Sequence, residues 1–134
     1  MDRKIVLLSA VLQFASGSAD ACSFTQNAAP QRWYEWASNL FAGTVTKVEQ
    51  DRKRSLDIIT VRVVETFKGP EGEVATVQIP TGLRAMCSQE LPAVGAQVLV
   101  AMDPTNNSAV VPLTADYAKL LREHGSKLQP KGAP

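Results

Sequence analysis

Leu56-Asp57-Ile58-Ile59-Thr60-Val61-Arg62-Val63-Val64-Glu65-Thr66-Phe67 reads as one long β-strand. Ile59, Val61 and Val63 alternate with Thr60, Arg62 and Val64, the period of two that sends successive side chains to opposite faces of a sheet. Glu65 interrupts the apolar alternation, and a bulge that turns it to solvent explains it better than an inward-facing catalytic acid. Turns flank the strand on both sides. Gln50-Asp51-Arg52-Lys53-Arg54-Ser55 is a polar hairpin tip whose basic residues lie in water. Lys68-Gly69-Pro70-Glu71-Gly72 packs two glycines and a proline into a short connection.

Further strands are expected on either side. Phe41 to Glu49 is rich in Thr and Val, and Gly43 within it marks a bulge or sharp bend. Val74 to Ile79 forms a third strand, ended by Pro80-Thr81-Gly82. Residues 83–96 read as irregular and carry Cys87. Pro92 and Gly95 then lead into a largely buried fourth strand, Gln97 to Met102. Asp103 to Ser108 is a turn, and Ala109 to Pro112 is a short fifth strand.

Two helices are expected outside the strands. Trp33, Trp36, Ala37 and Leu40 recur at helical spacing and predict an amphipathic helix over 31–39. The shared face of the tryptophans favours core packing over a sugar-stacking platform. Thr114 reads as an N-cap with Asp116 in the first turn, Tyr117, Leu120, Leu121 and His124 as one face, and Gly125 as the stop. The fold expected from this order is mainly β: a small five-stranded Greek-key barrel of OB type with a short N-terminal and a C-terminal helix.

Residues 1–21 carry the three parts of a secretory signal. Arg3 and Lys4 give the positive start, Ile5 to Phe14 the apolar run, and Ala19-Asp20-Ala21 the small-residue cleavage pattern. The apolar run is shorter than the ~20 residues that span a bilayer. Cleavage after Ala21 would leave Cys22 as the mature terminus, in a secreted or periplasmic protein. The alternative is a lipoprotein signal with a lipid anchor on Cys22, which Ala19 and Asp20 fit poorly. The expected organisation is thus a signal peptide over 1–21, a barrel domain over 22–112, and a C-terminal helix with a disordered tail over 113–134.

The remaining composition narrows the function. The chain of 134 residues carries 14 Lys and Arg against 13 Asp and Glu, with no basic block, which argues against nucleic acid as a partner. Two cysteines suggest one disulfide if the chain is exported and free thiols if it stays in the cytosol, and Cys87 is the only other cysteine. His124 is the single histidine, so a zinc site of the common His-rich or Cys-rich kind is not expected. Neither a Gly-x-Ser-x-Gly elbow nor a Gly-rich phosphate loop is present. No enzyme activity and no cofactor are expected.

Four blocks stand in an order that resembles one family: Cys22-Ser23-Phe24-Thr25; Leu40-Phe41-Ala42-Gly43-Thr44-Val45; Val63-Val64-Glu65-Thr66-Phe67-Lys68-Gly69; and Cys87 followed by Val94-Gly95-Ala96-Gln97-Val98-Leu99-Val100. Together they resemble the tissue inhibitors of metalloproteinases, especially short bacterial relatives with a netrin-like domain, across roughly residues 22–102. The resemblance implies an OB-type barrel to which the mature N-terminal cysteine is pinned by a disulfide, here Cys22 to Cys87. It implies inhibition of a zinc metalloprotease, with the amine and carbonyl of Cys22 on the target's zinc and Ser23 as the neighbouring contact. The protein would hold no metal of its own. Two departures stand out: Phe24 replaces the second cysteine of the usual Cys-x-Cys, and Val110-Val111-Pro112 occupies the region where a later cysteine is common. The alternative function is a non-inhibitory extracytoplasmic OB-type module that binds a protein, peptide or glycan on its barrel face.

Overall fold

The computed structural model describes residues 28–87, 89–105 and 107–128. The expected signal over 1–21, Cys22 with Ser23, and the tail over 129–134 lie outside the described residues.

The chain runs α1 (Pro30–Trp36), β1 (Asn39–Asp51), β2 (Leu56–Lys68), β3 (Val74–Pro80), α2 (Thr81–Met86), β4 (Gln97–Met102), β5 (Ser108–Pro112) and α3 (Ala115–Leu128). The five strands form one antiparallel sheet in the order β3-β2-β1-β4-β5. Three strands joined by short turns are thus followed by a fourth that returns through a long connection to lie beside the first. The edge strands β3 and β5 approach within 8 Å, Cα to Cα, so the sheet curls round. No hydrogen-bonded ladder joins them, and the ring of strands is open along that seam.

The curl gives the sheet an inner and an outer face, and both are apolar. Phe41, Val45, Ile59, Val61, Val77, Ile79, Val98 and Val100 pack together inside. Leu40, Leu99, Ala101 and Val111 face outward under α1 and α3, where Trp33, Tyr34, Ala37 and Leu121 complete a second core. Val98 to Ala101 is buried at every position because alternate residues serve different cores.

Bulges explain the broken alternation. In the β1–β2 ladder Ala42 opposes Glu65 while Gly43 opposes Val63, leaving Val64 as the extra residue on β2. Val64 is 62 % exposed. Beyond it Glu65 turns to α3, where the Arg122 guanidinium grips its carboxylate through three contacts of 2.7–2.9 Å. A further register shift leaves Thr46 extra on β1. Gly43 sits where a Cβ would come 2.4 Å from both the Arg62 carbonyl oxygen and Val61 Cγ1, so only glycine lets the strands close there.

The helices correct several expectations. α1 starts at Pro30, which suits a first helical position, and ends at Trp36 rather than 39. Ala37 is already extended, and Ser38 donates from both its backbone N–H and its hydroxyl to the Met102 carbonyl, drawing the chain into β1. Trp33 is fully buried, which makes it core, with Trp36 edge-on to it at 6.5 Å. Thr114 caps α3 as expected, its Oγ1 accepting from the Tyr117 N–H at 3.2 Å. Gly125 does not stop α3, which continues to Leu128. Its role is clearance: a Cβ there would sit 2.5 Å from Tyr34 Oη, and that hydroxyl donates to the Leu121 carbonyl at 2.9 Å. Leu120 is 49 % exposed, and Ala118 takes its place on the buried face beside Leu121. Lastly, residues 81–86 are a helix, within a connection read as irregular.

Candidate functional site

Of the residues singled out by sequence, Cys87 is the one the described structure positions; Cys22 and Ser23 lie outside it. Cys87 follows the last turn of α2 and is half-buried. Its backbone N–H donates to the Leu83 carbonyl at 3.1 Å. Two residues on, the Gln89 N–H donates to the Arg84 carbonyl at 3.0 Å. The short loop from Arg84 to Gln89, with Cys87 inside it, is therefore closed by its own backbone.

An ion pair between a fully buried carboxylate and a partly buried guanidinium ties this loop to the sheet. Asp57 stands on β2 with the parity of Ile59 and Val61 and is 0 % exposed, the one buried charged side chain among the described residues. Its Oδ2 accepts from Arg84 Nε at 2.6 Å. Its Oδ1 accepts from Thr81 Oγ1 at 3.3 Å and, at the outer limit of a hydrogen bond, from Gln50 Nε2 at 3.5 Å. Gln50 is the cross-strand partner of Asp57 in the β1–β2 ladder. The Arg84 guanidinium then reaches back, Nη1 donating to the Gln89 carbonyl at 3.1 Å. One carboxylate at the end of the inner core thus organises a strand, a helix and the loop that follows it.

Backbone contacts fix the rest of the β3–β4 connection. The Thr81 N–H donates to the Ser55 carbonyl at 2.9 Å, joining α2 to the β1–β2 hairpin; Ser55 itself takes a left-handed φ of 54°. At the far end the Gly95 N–H donates to the Val45 carbonyl at 2.7 Å, and the Val45 N–H donates to the Ala96 carbonyl at 3.0 Å. Leu91 packs against the inner core between these points.

Several other polar groups are engaged in structural pairs. A shallow cleft beside α3 is lined by Tyr34, Glu65, Phe67, Lys68, Arg122 and Leu128. Arg122 there holds Glu65, and Lys68 Nζ donates to the Tyr34 carbonyl at 2.7 Å. Burial, reinforced by the nearby Glu65 charge, pushes the Tyr34 hydroxyl above its ordinary pKa. The His124 ring lies 5.1 Å from that of Tyr34. At the hairpin tip Arg54 folds back on Asp51 at 2.7 Å. Among the described residues no group of three or more His, Cys, Asp or Glu is placed to hold a metal ion, and no helix is long and apolar enough to cross a membrane.

The sequence reading missed both Asp57 and Arg84. The signal was present for Asp57: an acidic residue at an inward position of the quoted strand has to find a buried partner. Arg84 carried none, because its segment read as irregular. Comparison with protein-family models and with curated proteins gives no match for the chain.

Proposed function

We propose that this chain is an exported inhibitor of a zinc endopeptidase, built on a Greek-key barrel of OB type, and not an enzyme. Cleavage after Ala21 frees the α-amine of Cys22, and a Cys22–Cys87 disulfide pins that terminus to the barrel. Closing so long a loop contributes roughly 4 kcal/mol on a chain-entropy argument. The Cys22 amine and its own carbonyl would form a five-membered chelate on a catalytic zinc in the target, displacing the water at its open position and raising the zinc to five-coordinate. Ser23 follows into the target's cleft. The Cys22 sulfur fixes position and is no ligand.

The observation that carries this reading is the anchoring of Cys87. A terminal chelator works only if its attachment point is held, because ordering a loose segment on binding costs affinity. The loop around Cys87 is closed by the Gln89 N–H to Arg84 carbonyl bond and tied to β2 through Arg84 and Asp57. The strand order, with β4 returning beside β1 and the sheet curled until β3 nears β5, supports the OB-type reading. The order of the four sequence blocks points the same way.

The test is a panel of zinc endopeptidases assayed with the mature protein and with the same protein acetylated on its α-amine. Inhibition by the first and loss in the second is expected, since acetylation removes the nitrogen lone pair from coordination. Inhibition should also weaken below the ordinary α-amine pKa of ~7.7–8.0, where a proton competes with the metal. No inhibition by either form across the panel would leave the non-inhibitory binding module as the better account.

A further inference from the structure

We infer that Asp57 and Arg84 are positioning residues, a buried clamp that holds the Cys87 loop in one arrangement on the sheet. The inference concerns the described loop itself; only its consequence for inhibition rests on the function proposed above.

The geometry separates a clamp from ordinary core packing. Asp57 occupies an inward position where its neighbours of like parity, Ile59 and Val61, are apolar and fully buried. An apolar side chain there would extend the core without removing a charge from water. Replacing buried ion pairs by apolar residues is often neutral or stabilising, so such a pair is poorly explained by stability alone. What this pair adds is direction. The guanidinium spends Nε on Asp57 and Nη1 on the Gln89 carbonyl, so one planar group fixes both the strand and the far side of the loop. Thr81, at the start of α2, grips the same carboxylate. Helix start, helix end and loop exit are thus all referred to one side chain of β2, and Cys87 lies between them. Apolar packing contributes little to holding α2, which has no fully buried residue and whose Met86 is 55 % exposed.

The experiment is site-resolved amide hydrogen exchange on the full exported protein, comparing native, Asp57→Asn, Arg84→Lys and the apolar pair Asp57→Leu/Arg84→Met. The probes are the amides of Cys87 and Gln89, with the Leu99 amide in β4 as the reference for global opening. In Asp57→Asn and in the apolar pair, protection at Cys87 and Gln89 should fall about tenfold or more while Leu99 follows only the global change, the factor expected from losing a charge-assisted hydrogen bond. Arg84→Lys keeps the positive charge, and hence the fold, but has no second arm for the Gln89 carbonyl. It should loosen Gln89 more than Cys87. If Cys87 and Gln89 change only in step with Leu99 in every folded variant, the pair is a stability element and the inference is overturned. A native protein that inhibits no zinc endopeptidase would remove the function proposed above and leave this exchange result to stand. If both hold, the folded apolar pair should inhibit more weakly than native protein at unchanged thermal stability.

Discussion

Gly43 is a choice that the surrounding strands do not tolerate changing, and Asp57 is one that does not tolerate losing its partner alone. A methyl group at Gly43 would meet the Arg62 carbonyl, which is backbone and cannot swing aside, and the fully buried Val61. Gly43→Ala should therefore destabilise by about 1–3 kcal/mol, read as a lower midpoint in urea with an unchanged slope. Asp57 poses the opposite problem. Arg84→Ala would leave its carboxylate buried beside only Thr81 and Gln50, and loss of one partner of such a pair costs about 3–5 kcal/mol. Equilibrium unfolding of Arg84→Ala checks this, and a cost near that of a surface substitution would show that water reaches the carboxylate. Tyr34 and Gly125 form a third fixed point, where the absence of a side chain on a helix lets a tyrosine hydroxyl reach the Leu121 carbonyl.

The elements divide by how local their signals are. Thr114 is an ordinary cap, and Thr114→Ala should cost about 1 kcal/mol, measurable as a small drop in thermal midpoint. The Arg122–Glu65 pair that ties α3 to β2 is about half exposed on the arginine side. Breaking it with Arg122→Gln should lower the thermal midpoint only slightly, and less as salt is added. Local rules of this kind were legible in the sequence: the five strands, their turns, the Thr114 cap and the bulge before Glu65 all follow from period and turn chemistry. What was not legible depended on distant partners. α1 stops at Trp36 because Met102, far along the chain, captures Ser38. α2 was invisible because its anchor is the Asp57 carboxylate rather than an apolar stripe of its own. Gly125 looked like a stop because nothing local announces Tyr34 on the other side. At the candidate site, Cys87 was singled out by the cysteine count and by a resemblance in block order, whereas the Asp57–Arg84 pair beside it carried no such signal.

At the scale of the whole molecule, acid and alkali act on different parts. Hydrogen bonds from Arg54 hold the Asp51 carboxyl below its usual range. At Asp103 desolvation pushes upward, but bonds from Thr105 and Asn107 outweigh it and the net direction is down. A carboxyl lowered on folding contributes stability that is present above its unfolded value of 3.8 and is lost as pH falls through the folded value. Burial raises the Tyr34 and Tyr117 hydroxyls above 10.0, so their contribution is complete below that pH and is lost as pH rises through the folded values. Unfolding should therefore leave a plateau around neutrality, with one limb below about pH 4 and another above about pH 10. That plateau separates folding from function, because the amine proposed to bind zinc titrates within it. Loss of inhibition between pH 8 and 6 would then report the chelate and not unfolding. The most direct test of the central claim is the inhibition constant of the mature protein against a responsive zinc endopeptidase, compared with a form carrying one alanine before Cys22. The extension leaves the described fold intact while turning the chelating amine into an amide and moving the free terminus one residue on. Abolished inhibition by the extended form at unchanged thermal stability is the predicted result, and equal inhibition by both forms would contradict it.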